Sequence, residues 1–483
     1  MIYMVLLTGE GWKNARQEAS SYERFGHNNH KGVVIMENNY NNRKAKYDVI
    51  VVGGGLAGLS CAFHVSKKGR DVLLLEKNEF LGGRTSSFFD GNMEVESGLH
   101  RYIGYYKELP KLLKGCGVKI NDIVTWEEKV DILVKDQKKK IVLGVSPFYG
   151  PIKAVRGITD NELLSAEDIK SLTKFFIRGI VDFVLKRDLD SFSLDEYANM
   201  HKVTKNAQEL ILEPLSSELF FLSTGNYSAF AFFNMFVPAI PRLYRMRVGA
   251  FLGGMSDVMC EPIANCIKEL GGVIRTCEAV NKILINNGSA VGVCTDNNNV
   301  FLAEKVVIAT PIAAAKELLV PLKEEGSFKN FFSLPTMSAC TLQIELNEPS
   351  MEKDITTFGP GTDMVSFAEQ SRSTFRNKKG RLSLIFGKRN KYIEMSAEEL
   401  LEVAVVQLES LGINIKEKIR NYRKVSERDE FYALTPGSQG LRPRQKTKVK
   451  GLVLAGDYTL TSSLCTMEGA VISGKKAAKL CTK

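Results

Sequence analysis

The chain has 483 residues, of which 44% are hydrophobic and 25% are charged, with a formal net charge of +10. The length allows roughly two to three domains, the composition excludes a disordered or fibrous chain, and the charge would suit an anionic cofactor, anionic lipid or nucleic acid. Nine cysteines without a CxxC spacing and only five histidines argue against a disulfide framework or a metal site and favour a reducing, cytoplasmic compartment.

The first segment, residues 1–46, is predicted to be a disordered leader. It opens with "MIYMVLL", an apolar run that is too short, and lacks the basic residues, for a signal peptide. The stretch that follows is polar and rich in asparagine, a composition that cannot bury a core. Met36 lies shortly before the first strand, so a start there would remove most of the leader.

A glycine-rich turn between two buried strands carries the first chemical motif. In "YDVIVVGGGLAGLSCAFHVSKKGRDVLLLEK", Val49–Val52 and Asp71–Leu75 are apolar runs typical of parallel strands. A helix with apolar spacing, Leu56–Lys68, lies between them. The order of strand, G-x-G-x-x-G, helix, strand and acid is that of a dinucleotide-binding unit.

Each residue of this unit has a physical role. The first glycine allows a tight turn, the second admits the diphosphate, and the third lets helix and strand pack closely. The acid after the second strand can accept hydrogen bonds from a ribose. The predicted cofactor contacts in this unit are Gly53, Gly55, Leu56, Ala57, Gly58, Glu76 and Lys77.

A second glycine turn follows in "EKNEFLGGRTSSF" and contributes Gly82, Gly83, Arg84 and Thr85. An arginine that reaches back over such a turn can neutralise diphosphate charge with its planar fork. The two turns in this order resemble the flavin-containing amine oxidase and phytoene desaturase superfamily, whose cofactor is FAD. The next segment, "VESGLHRYIG", is also similar and implies that Gly98, Leu99 and His100 line the cofactor; an ordinary core histidine is the alternative for His100.

Residues 105–250 are predicted to be mostly helical in their second half, with capping boxes at Ser165 and Ser193. Phenylalanine is concentrated between 220 and 236. Three interpretations are open: an aromatic helical core, the wall of an apolar substrate tunnel, or a surface that enters a membrane leaflet. Residues 225–241 carry no charge but contain polar side chains and prolines, so they make a weak transmembrane candidate.

Residues 251–311 return to a pattern of helix and strands. Met255–Leu270 have helical periodicity, "NNGS" at 286–289 predicts a hairpin, and Val306–Ala309 predict a buried strand. The superfamily shows the same order, and the resemblance implies that Val280 holds the adenine through its backbone. Ala309, at the end of the buried strand, is a further predicted cofactor contact.

The last segment is another strand, loop and helix. Val453–Ala455 predict one more parallel strand, and its carboxyl end, where open α/β sheets bind ligands, carries Gly456 and Asp457. Asp457 can accept hydrogen bonds from ribityl or ribose hydroxyls. Thr466 is the predicted N-cap of the final helix, whose first N–H groups would face the flavin. The predicted contacts in this helix are Met467 and Ala470.

Together these segments predict an α/β fold. A Rossmann-like FAD-binding domain, with a parallel sheet and a β-meander, takes residues 47–104, 251–311 and 448–483. A substrate domain of mixed sheet and helices takes 105–250 and 312–447, with a helical, aromatic-rich part at 165–250. In its second piece "ACTLQIELN" and "RLSLIFGK" alternate as strands do.

The C-terminal block narrows the resemblance. "FYALTPGSQGLRPRQKTKVKGLVLAGDYTLTSSLCTMEGAVISG" is similar to the plant- and cyanobacterial-type phytoene and ζ-carotene desaturases and to hydroxysqualene dehydroxylases, through Arg442, Pro443, Gln445 and the "AGD" and "MEGA" stretches. The resemblance implies a FAD-dependent oxidoreductase that desaturates a long apolar polyisoprenoid, with hydride passing from an allylic C–H to flavin N5. Because the chemistry is borne by the flavin, no catalytic side chain is predicted.

Three alternatives stay open: a hydroxysqualene dehydroxylase that uses reduced flavin, a flavin amine oxidase, and a FAD-binding protein without turnover. The predicted partners are an apolar isoprenoid or lipid-like substrate, a quinone or other electron acceptor, and a membrane surface, but not nucleic acid. The predicted location is the cytoplasm, either free or peripheral on a membrane.

Overall fold

Two large β-sheets organise the chain. The computed structural model describes residues 46–127, 129–137, 139–144, 163–245, 247–324, 326–387 and 391–483. The predicted leader lies outside the described residues, apart from residue 46. Both sheets belong to one compact unit.

Strands and helices are interspersed along the chain. The strands are β1 (Tyr47–Val52), β2 (Val72–Leu75), β3 (Ser87–Asp90), β4 (Met93–Glu96), β5 (Tyr102–Ile103), β6 (Val124–Glu127), β7 (Lys129–Leu133), β8 (Lys140–Gly144), β9 (Val248–Phe251), β10 (Val273–Arg275), β11 (Val280–Asn286), β12 (Ser289–Thr295), β13 (Val300–Ile308), β14 (Thr336–Leu346), β15 (Thr357–Phe358), β16 (Met364–Glu369), β17 (Gly380–Phe386), β18 (Ile419–Tyr432) and β19 (Leu452–Leu454). The helices are α1 (Leu56–Ser66), α2 (Glu108–Gly115), α3 (Ile120–Ile123), α4 (Ala166–Val184), α5 (Leu194–Met200), α6 (Lys205–Ala207), α7 (Glu213–Phe220), α8 (Ala229–Phe236), α9 (Glu261–Glu269), α10 (Ile312–Leu319), α11 (Lys329–Phe332), α12 (Lys391–Glu394), α13 (Ala397–Ser410) and α14 (Met467–Cys481).

The first sheet explains the continuous apolar runs. Val49 and Val51 of β1 pack into one hydrophobic core, and Ile50 and Val52 pack into another, so both faces of the strand are covered. A strand buried on both faces has no reason to alternate apolar and polar residues. The apolar run before the first glycine is therefore the centre of the sheet.

The first sheet runs in the order β10, β2, β1, β13, β12, β11, and β19 pairs with β13. β10, β2, β1, β13 and β19 are parallel, whereas β11, β12 and β13 form an antiparallel meander. Asn287 and Gly288 have φ of 47° and 71°, the left-handed values that a two-residue hairpin turn needs. The predicted parallel sheet, its meander and the "NNGS" hairpin are confirmed.

The second sheet runs in the order β18, β14, β17, β16, β15, β7, β8, and only β15 and β7 pair in parallel. The strands predicted from "ACTLQIELN" and "RLSLIFGK" are confirmed as β14 and β17. The polar residues of this alternation do not form a solvent-exposed face, because Gln343, Arg381 and Ser383 are all fully buried. Gln343 and Arg381 meet the hairpin of β3 and β4 instead of water.

The helices between β8 and β9 carry the aromatic-rich segment. Capping boxes at Ser165 and Ser193 begin α4 and α5 and are confirmed. Phe232 and Phe233 of α8 are fully buried against Phe175 of α4, as the interpretation of an aromatic core predicts. Among the described residues, no helix is both long and apolar enough to cross a membrane, and the weak transmembrane candidate at 225–241 forms α8 and a short 3-10 segment.

The two sheets follow the predicted division of the chain. Every strand of the first sheet comes from the predicted FAD-binding pieces, and every strand of the second comes from the two inserts. A smaller sheet of β5, β9 and β6 draws strands from both groups. The domain boundaries themselves stay a prediction.

Candidate functional site

A cavity of about 740 Å³ opens at the carboxyl ends of β1, β13 and β19. The loops after these strands supply Gly53, Thr310 and Gly456 to its wall. Open α/β sheets bind their ligands at this edge. The volume lies within the range of small-molecule and cofactor sites.

Most of the predicted cofactor contacts line this cavity, although they come from both ends of the chain. The predicted residues in its wall are Gly53, Gly55, Leu56, Ala57, Glu76, Lys77, Gly82, Gly83, Arg84, Thr85, His100, Val280, Ala309, Gly456, Asp457, Met467 and Ala470. The fold thus brings the two glycine turns, the meander and the last strand and helix to one place.

Three predicted contacts lie behind the wall rather than in it: Gly58, Gly98 and Leu99. A Cβ on Gly58 would lie 1.9 Å from the carbonyl oxygen of Gly53, so this glycine lets α1 pack on the turn. Leu99 packs in an apolar cluster with side chains of the second sheet. A Cβ on Gly98 would lie 3.0 Å from Cε1 of His100, which is the member of this segment that reaches the cavity.

The first two glycines of the turn serve different purposes. Gly53 has φ +105°, and a Cβ there would lie 2.9 Å from the carbonyl oxygen of Ala309, so the turn itself requires glycine. For a Cβ on Gly55, the nearest protein atom would be the carbonyl oxygen of Gly82, at 3.7 Å. Packing within the protein therefore does not explain glycine at 55, whereas space for a ligand does.

The N-terminus of α1 faces the same cavity. Gly55 is its N-cap and provides no side-chain cap, and Leu56 and Ala57 line the wall. The first N–H groups of a helix have no partner within the helix, and the helix dipole favours negative charge beside them. This end of the cavity therefore suits a diphosphate.

Glu76, at the end of β2, is buried and already holds the turn. Its Oε2 accepts the backbone N–H of Gly54 at 2.6 Å, and its Oε1 accepts that of Asn78 at 2.9 Å. A carboxylate has about four acceptor positions, so both oxygens can still accept a ribose hydroxyl. The sequence indicated the ribose role and missed this second role in the turn.

Arg84 and Asp457 form an ion pair across the cavity wall. The Nη2–Oδ1 distance is 2.7 Å, and the guanidinium also lies 4.8 Å from the ring centre of Phe431 on β18. The sequence suggested separate roles for these two residues, Arg84 at the diphosphate and Asp457 at the ribityl or ribose hydroxyls. The structure joins them, so each helps to fix the position of the other.

His100 is neutral in this setting. Its Nδ1 lies 3.1 Å from the carbonyl oxygen of Gly98. Burial lowers the pKa of His100 to about 4, and the positive charge of Arg84 adds to the effect. The ring therefore contributes a polar edge to the cavity without a charge at neutral pH.

The second sheet adds wall residues that the sequence did not indicate. β18 bulges against β14 near its end, where Asp429 has φ +54°. Glu427, Glu430 and Phe431 all reach the cavity, although residues three apart in a regular strand point to opposite faces. Burial and the neighbouring Glu430 raise the pKa of Glu427 to about 8. The bulge depends on contacts between distant strands, so no local signal marks it.

Arg442 and Gln445 hold the loop after β19. Arg442 is buried and donates to the carbonyl oxygens of Asp457 at 3.1 Å and of Tyr458 at 3.4 Å, and also to that of Thr459. Gln445 donates to Oγ1 of Thr459 at 2.9 Å. Neither side chain lines the cavity, so this pair positions Asp457 rather than contacting a ligand.

The glutamate of the "MEGA" stretch also has a structural role. Both carboxylate oxygens of Glu468 accept backbone N–H groups at the start of α2, from Lys107 and Glu108 at 2.8 Å and from Leu109 at 2.9 Å. Because Glu468 lies in the first turn of α14, it ties that end of the helix to α2. The wall residues Met467 and Ala470 are thereby held in place.

The sequence of the chain matches the model of one protein family over residues 56–482, described as flavin containing amine oxidoreductase. The protein belongs to this family. It is therefore a FAD-dependent oxidoreductase, and FAD is its cofactor. The predicted membership of the wider flavin amine oxidase and phytoene desaturase superfamily is confirmed.

Similar sequences include desaturases. The 15-cis-phytoene desaturase of an Oncidium hybrid cultivar is 27% identical over 463 residues, which cover 90% of this chain and 78% of that protein. The 15-cis-phytoene desaturase of Synechococcus elongatus is 26% identical, covering 89% of this chain and 95% of that protein. The zeta-carotene desaturase of Arabidopsis thaliana is 24% identical, covering 90% and 85%.

Solved structures share the fold. An oxidoreductase from Methanosarcina mazei has a TM-score of 0.70 at 19% identity, covering 89% of this chain and all of that one. A putrescine oxidase variant has a TM-score of 0.70 at 16% identity, covering 90% and 99%. At these identities the likeness concerns the architecture alone, and it agrees with the predicted α/β fold.

The residues of the cavity fit FAD. Gly55 leaves open a space that a Cβ would enter, and the N-terminus of α1 beside it suits a diphosphate. The buried Oγ1 of Thr310, another wall residue, has no hydrogen-bond partner among the described residues. A buried hydroxyl without a protein partner is costly unless a ligand or water satisfies it.

Proposed function

We propose that the protein is a FAD-dependent desaturase of a long apolar polyisoprenoid, of the carotenoid-precursor type. The observation that carries the proposal is the similarity to phytoene and zeta-carotene desaturases over about 90% of the chain. The match to the family model, which ends at residue 482, includes the loop and helix that complete the cavity. The match thus begins just after the first glycines of the turn and covers the rest of the cavity wall, including Arg84 and Asp457.

The proposal assigns FAD to the cavity described above. The backbone around Gly53 and Gly55 would hold the diphosphate, Glu76 a ribose, and Val280 the adenine. Arg84 and Asp457 would face the middle of the cofactor, and Met467 and Ala470 its redox ring. The supporting observation is that all these residues lie in one wall.

The chain's own contribution is to bind, orient and exclude water. When bound, FAD supplies the two-electron oxidation that turns an allylic single bond into a double bond. His100 is uncharged at neutral pH and Asp457 is balanced by Arg84, so neither leaves an unpaired charge beside an apolar substrate. The hydrogen bonds from Arg442 and Gln445 hold Asp457 in the position that this pairing needs.

The reaction is tested with FAD-loaded protein, incubated anaerobically with phytoene, ζ-carotene or hydroxysqualene and a quinone as electron acceptor. Extraction and mass analysis should show loss of two hydrogen atoms from phytoene or ζ-carotene. Loss of the hydroxyl group from hydroxysqualene, with reduced flavin only, would identify a dehydroxylase instead. No change in phytoene or ζ-carotene in the presence of bound FAD and acceptor overturns the proposal.

The cofactor assignment has a separate test. Replacing Asp457 by Ala leaves Arg84 without its partner, and we expect the affinity for FAD to fall by about tenfold or more. The matched control is Asp122→Ala, because Asp122 is exposed and remote from the cavity wall. Full flavin occupancy in Asp457→Ala, measured by absorbance after dialysis, would contradict the assignment.

The proposed substrate dissolves in membranes, and α4 offers a surface for one. Its outer face and the residue that follows it carry four large apolar side chains that are 41–61% exposed: Ile177, Val181, Val184 and Leu185. Exposed basic residues flank them on both sides: Lys170 and Lys174 before, Lys186 and Arg187 after. An apolar stripe between basic side chains complements an anionic lipid leaflet, so we assign this face to a membrane surface.

Flotation with anionic vesicles tests this surface. Replacing Ile177 and Val184 by Ser should lower vesicle binding, because both side chains are about 60% exposed and would lose their burial in lipid. Val320→Ser together with Val406→Ser is the control, since these valines are similarly exposed on other elements. Equal loss in both variants would show that the stripe on α4 has no special role.

A further inference from the structure

A second cavity, of about 580 Å³, lies on the other side of the loop at 462–466. Thr466 lines both this cavity and the one assigned to FAD. Part of its wall is a face of α14, and another part comes from α8 and the segment after it. We call it the basic cavity and define it by Lys107, Arg242, Lys475, Lys476, Lys479 and the apolar residues named below.

The lysines of α14 form one stripe. Lys475, Lys476 and Lys479 follow Ile472 at the spacing of one helix face, so all four point to the same side. Arg242, from the segment after α8, lines the same cavity and donates to the carbonyl oxygen of Tyr105 at 3.2 Å. Cationic side chains therefore line the cavity from two separate elements.

The carboxylates of the basic cavity do not balance this charge. Its wall contains two, Glu108 and Glu468, against five cationic side chains. Both oxygens of Glu468 are occupied by backbone N–H groups, and Glu108 pairs with Lys111 and Lys475. Lys107 and Lys479 have no ion-pair partner among the described residues. The excess of positive charge thus remains available to an anion.

The field inside the basic cavity is positive for a further reason. The buried guanidinium of Arg442 and the exposed one of Arg444 lie close enough to Lys476 to repel its charge. Burial lowers the pKa of Lys476, and these two arginines lower it further. A lysine crowded by other cations gains most from an anionic ligand, because the ligand offsets the repulsion.

Apolar side chains also line the basic cavity, beside the polar residues Asn234, Ser462, Ser463 and Thr466. Ala231 and Met235 of α8, Leu464 of the dividing loop and the ring of Tyr105 line it together with Ile472. Met235 packs on the aromatic core of the helical segment, and Leu464 is buried. An anion alone would not use these groups, whereas an alkyl chain attached to it would.

We propose that the basic cavity binds an anionic amphiphile, whose phosphate group meets the lysines of α14 and whose hydrocarbon chain lies on the apolar wall. This goes beyond the proposed desaturation, because a hydrocarbon substrate has no group for the lysines. Two sources share this chemistry: the head group and acyl chain of a membrane phospholipid, and a soluble isoprenyl phosphate.

The test uses FAD-loaded, full-length protein and calorimetric titration with n-octyl phosphate, n-octanol and inorganic phosphate near neutral pH. We expect n-octyl phosphate to bind about tenfold more tightly than either of the others, since only it engages both parts of the site. Lys476→Gln with Lys479→Gln should lower its affinity by about tenfold. The matched control is Lys446→Gln with Lys448→Gln, two exposed lysines that lie outside the walls of both cavities.

Equal affinity for n-octyl phosphate and inorganic phosphate would overturn the proposal, as would equal effects of the two lysine pairs. FAD content and thermal stability of each variant show that the fold is retained. Because binding is measured without turnover, failure here is distinct from failure of the desaturase assignment.

Vesicle flotation then distinguishes a membrane phospholipid from a soluble isoprenyl phosphate as the ligand. If Lys476→Gln with Lys479→Gln also weakens binding to vesicles that contain an anionic phospholipid, but not to zwitterionic ones, the occupant is a lipid head group. If vesicle binding is unchanged while binding of n-octyl phosphate is lost, the occupant is a soluble amphiphilic phosphate. Either result supports the site and names its ligand.

Discussion

At the scale of single residues, Gly55 distinguishes space for a ligand from packing within the protein. A Cβ at this position would approach no protein atom closer than 3.7 Å, yet it would enter the cavity. We therefore expect Gly55→Ala to raise the dissociation constant for FAD by about tenfold or more, because the methyl group occupies cofactor space. The free energy of unfolding of the apoprotein should change by less than about 0.5 kcal/mol.

Two further glycines serve as controls. Gly58→Ala would place a Cβ 1.9 Å from the carbonyl oxygen of Gly53, so we expect it to destabilise the apoprotein by about 1–3 kcal/mol. Gly225→Ala has no atom within 4 Å of the new methyl group and should change neither property. The interpretation fails if Gly55→Ala binds FAD normally, or if it unfolds as readily as Gly58→Ala.

Glu427 and Glu430 place two carboxyl groups in the cavity that we assign to FAD. Burial and Glu430 raise the pKa of Glu427 to about 8, against the lowering effects of Arg84 and Lys77. Below pH 8 the pair holds a proton, and above it the pair adds negative charge beside an anionic cofactor. We expect the dissociation constant for FAD to rise by about tenfold between pH 7 and pH 9.

The variants for this pH dependence are Glu427→Gln and Glu317→Gln. The first removes the titrating group, so the affinity for FAD should become nearly independent of pH in this range. Glu317 lines the same cavity but is exposed, and its replacement should leave the slope in place. Fluorescence titration of FAD at several pH values gives the result; an unchanged slope in Glu427→Gln would exclude Glu427 as its source.

At the scale of elements, the loop after β19 depends on a side chain outside the cavity. Removing Arg442 leaves the carbonyl oxygens of Asp457, Tyr458 and Thr459 without their buried donor. Each buried group left unsatisfied costs about 1–3 kcal/mol. Arg442→Ala should therefore lower the free energy of unfolding several times more than a surface substitution does. It should also weaken FAD binding, because Asp457 loses its support.

The control for Arg442→Ala is the same substitution at its neighbour Arg444, which is exposed. Arg444→Ala removes the same charge and should leave both thermal stability and FAD affinity unchanged. If Arg442→Ala bound FAD as the wild type does, Arg442 would have a structural role only, and its proposed link to the cofactor site would be wrong.

The elements differ in how far the sequence predicts them. β1, the glycine turn and the hairpin at Asn287 were predictable because each depends on residues close together in the chain. The capping boxes at Ser165 and Ser193 are local in the same sense. The bulge in β18 and the hydrogen bonds of Arg442 depend on contacts between distant segments, for which a single sequence carries no pattern.

At the scale of the whole molecule, the net charge of +10 is not reflected in the side chains of the cavity that we assign to FAD. Its wall has only Lys77 and Arg84 as lysine or arginine side chains, against seven acidic side chains: Glu76, Glu278, Asp296, Glu317, Glu427, Glu430 and Asp457. The diphosphate that we assign to this cavity would therefore be matched by backbone N–H groups and a helix end more than by net charge. The basic cavity, beyond the dividing loop, has the opposite balance.

A buried polar network joins the β3–β4 hairpin to the second sheet, and this network makes stability depend on pH. Glu96 of β4 accepts from Gln370 at 3.3 Å, while Gln343 of β14 donates to the carbonyl oxygen of Glu96 at 2.7 Å. Burial raises the pKa of Glu96 to about 7, well above the value of an exposed glutamate. The folded protein thus keeps a proton on Glu96 that the unfolded chain releases at lower pH.

The direction in which stability changes with pH follows from this difference. Between the pKa of the unfolded chain, near 4.5, and about 7, the folded state binds one more proton, so the contribution of Glu96 to stability is present below this range and is lost as the pH rises through it. The loss is about 1.4 kcal/mol per pH unit and about 3 kcal/mol in total.

Glu96→Gln keeps the polar contacts without titrating, so its stability relative to the wild type should rise by this amount from pH 5 to pH 8. Denaturant unfolding at several pH values measures the difference, with the exposed Glu409→Gln as control. A difference between Glu96→Gln and wild type that stays constant with pH would mean that Glu96 is ionised in the folded protein throughout, and that the network joins the hairpin to the second sheet with a buried charge instead of a buried proton.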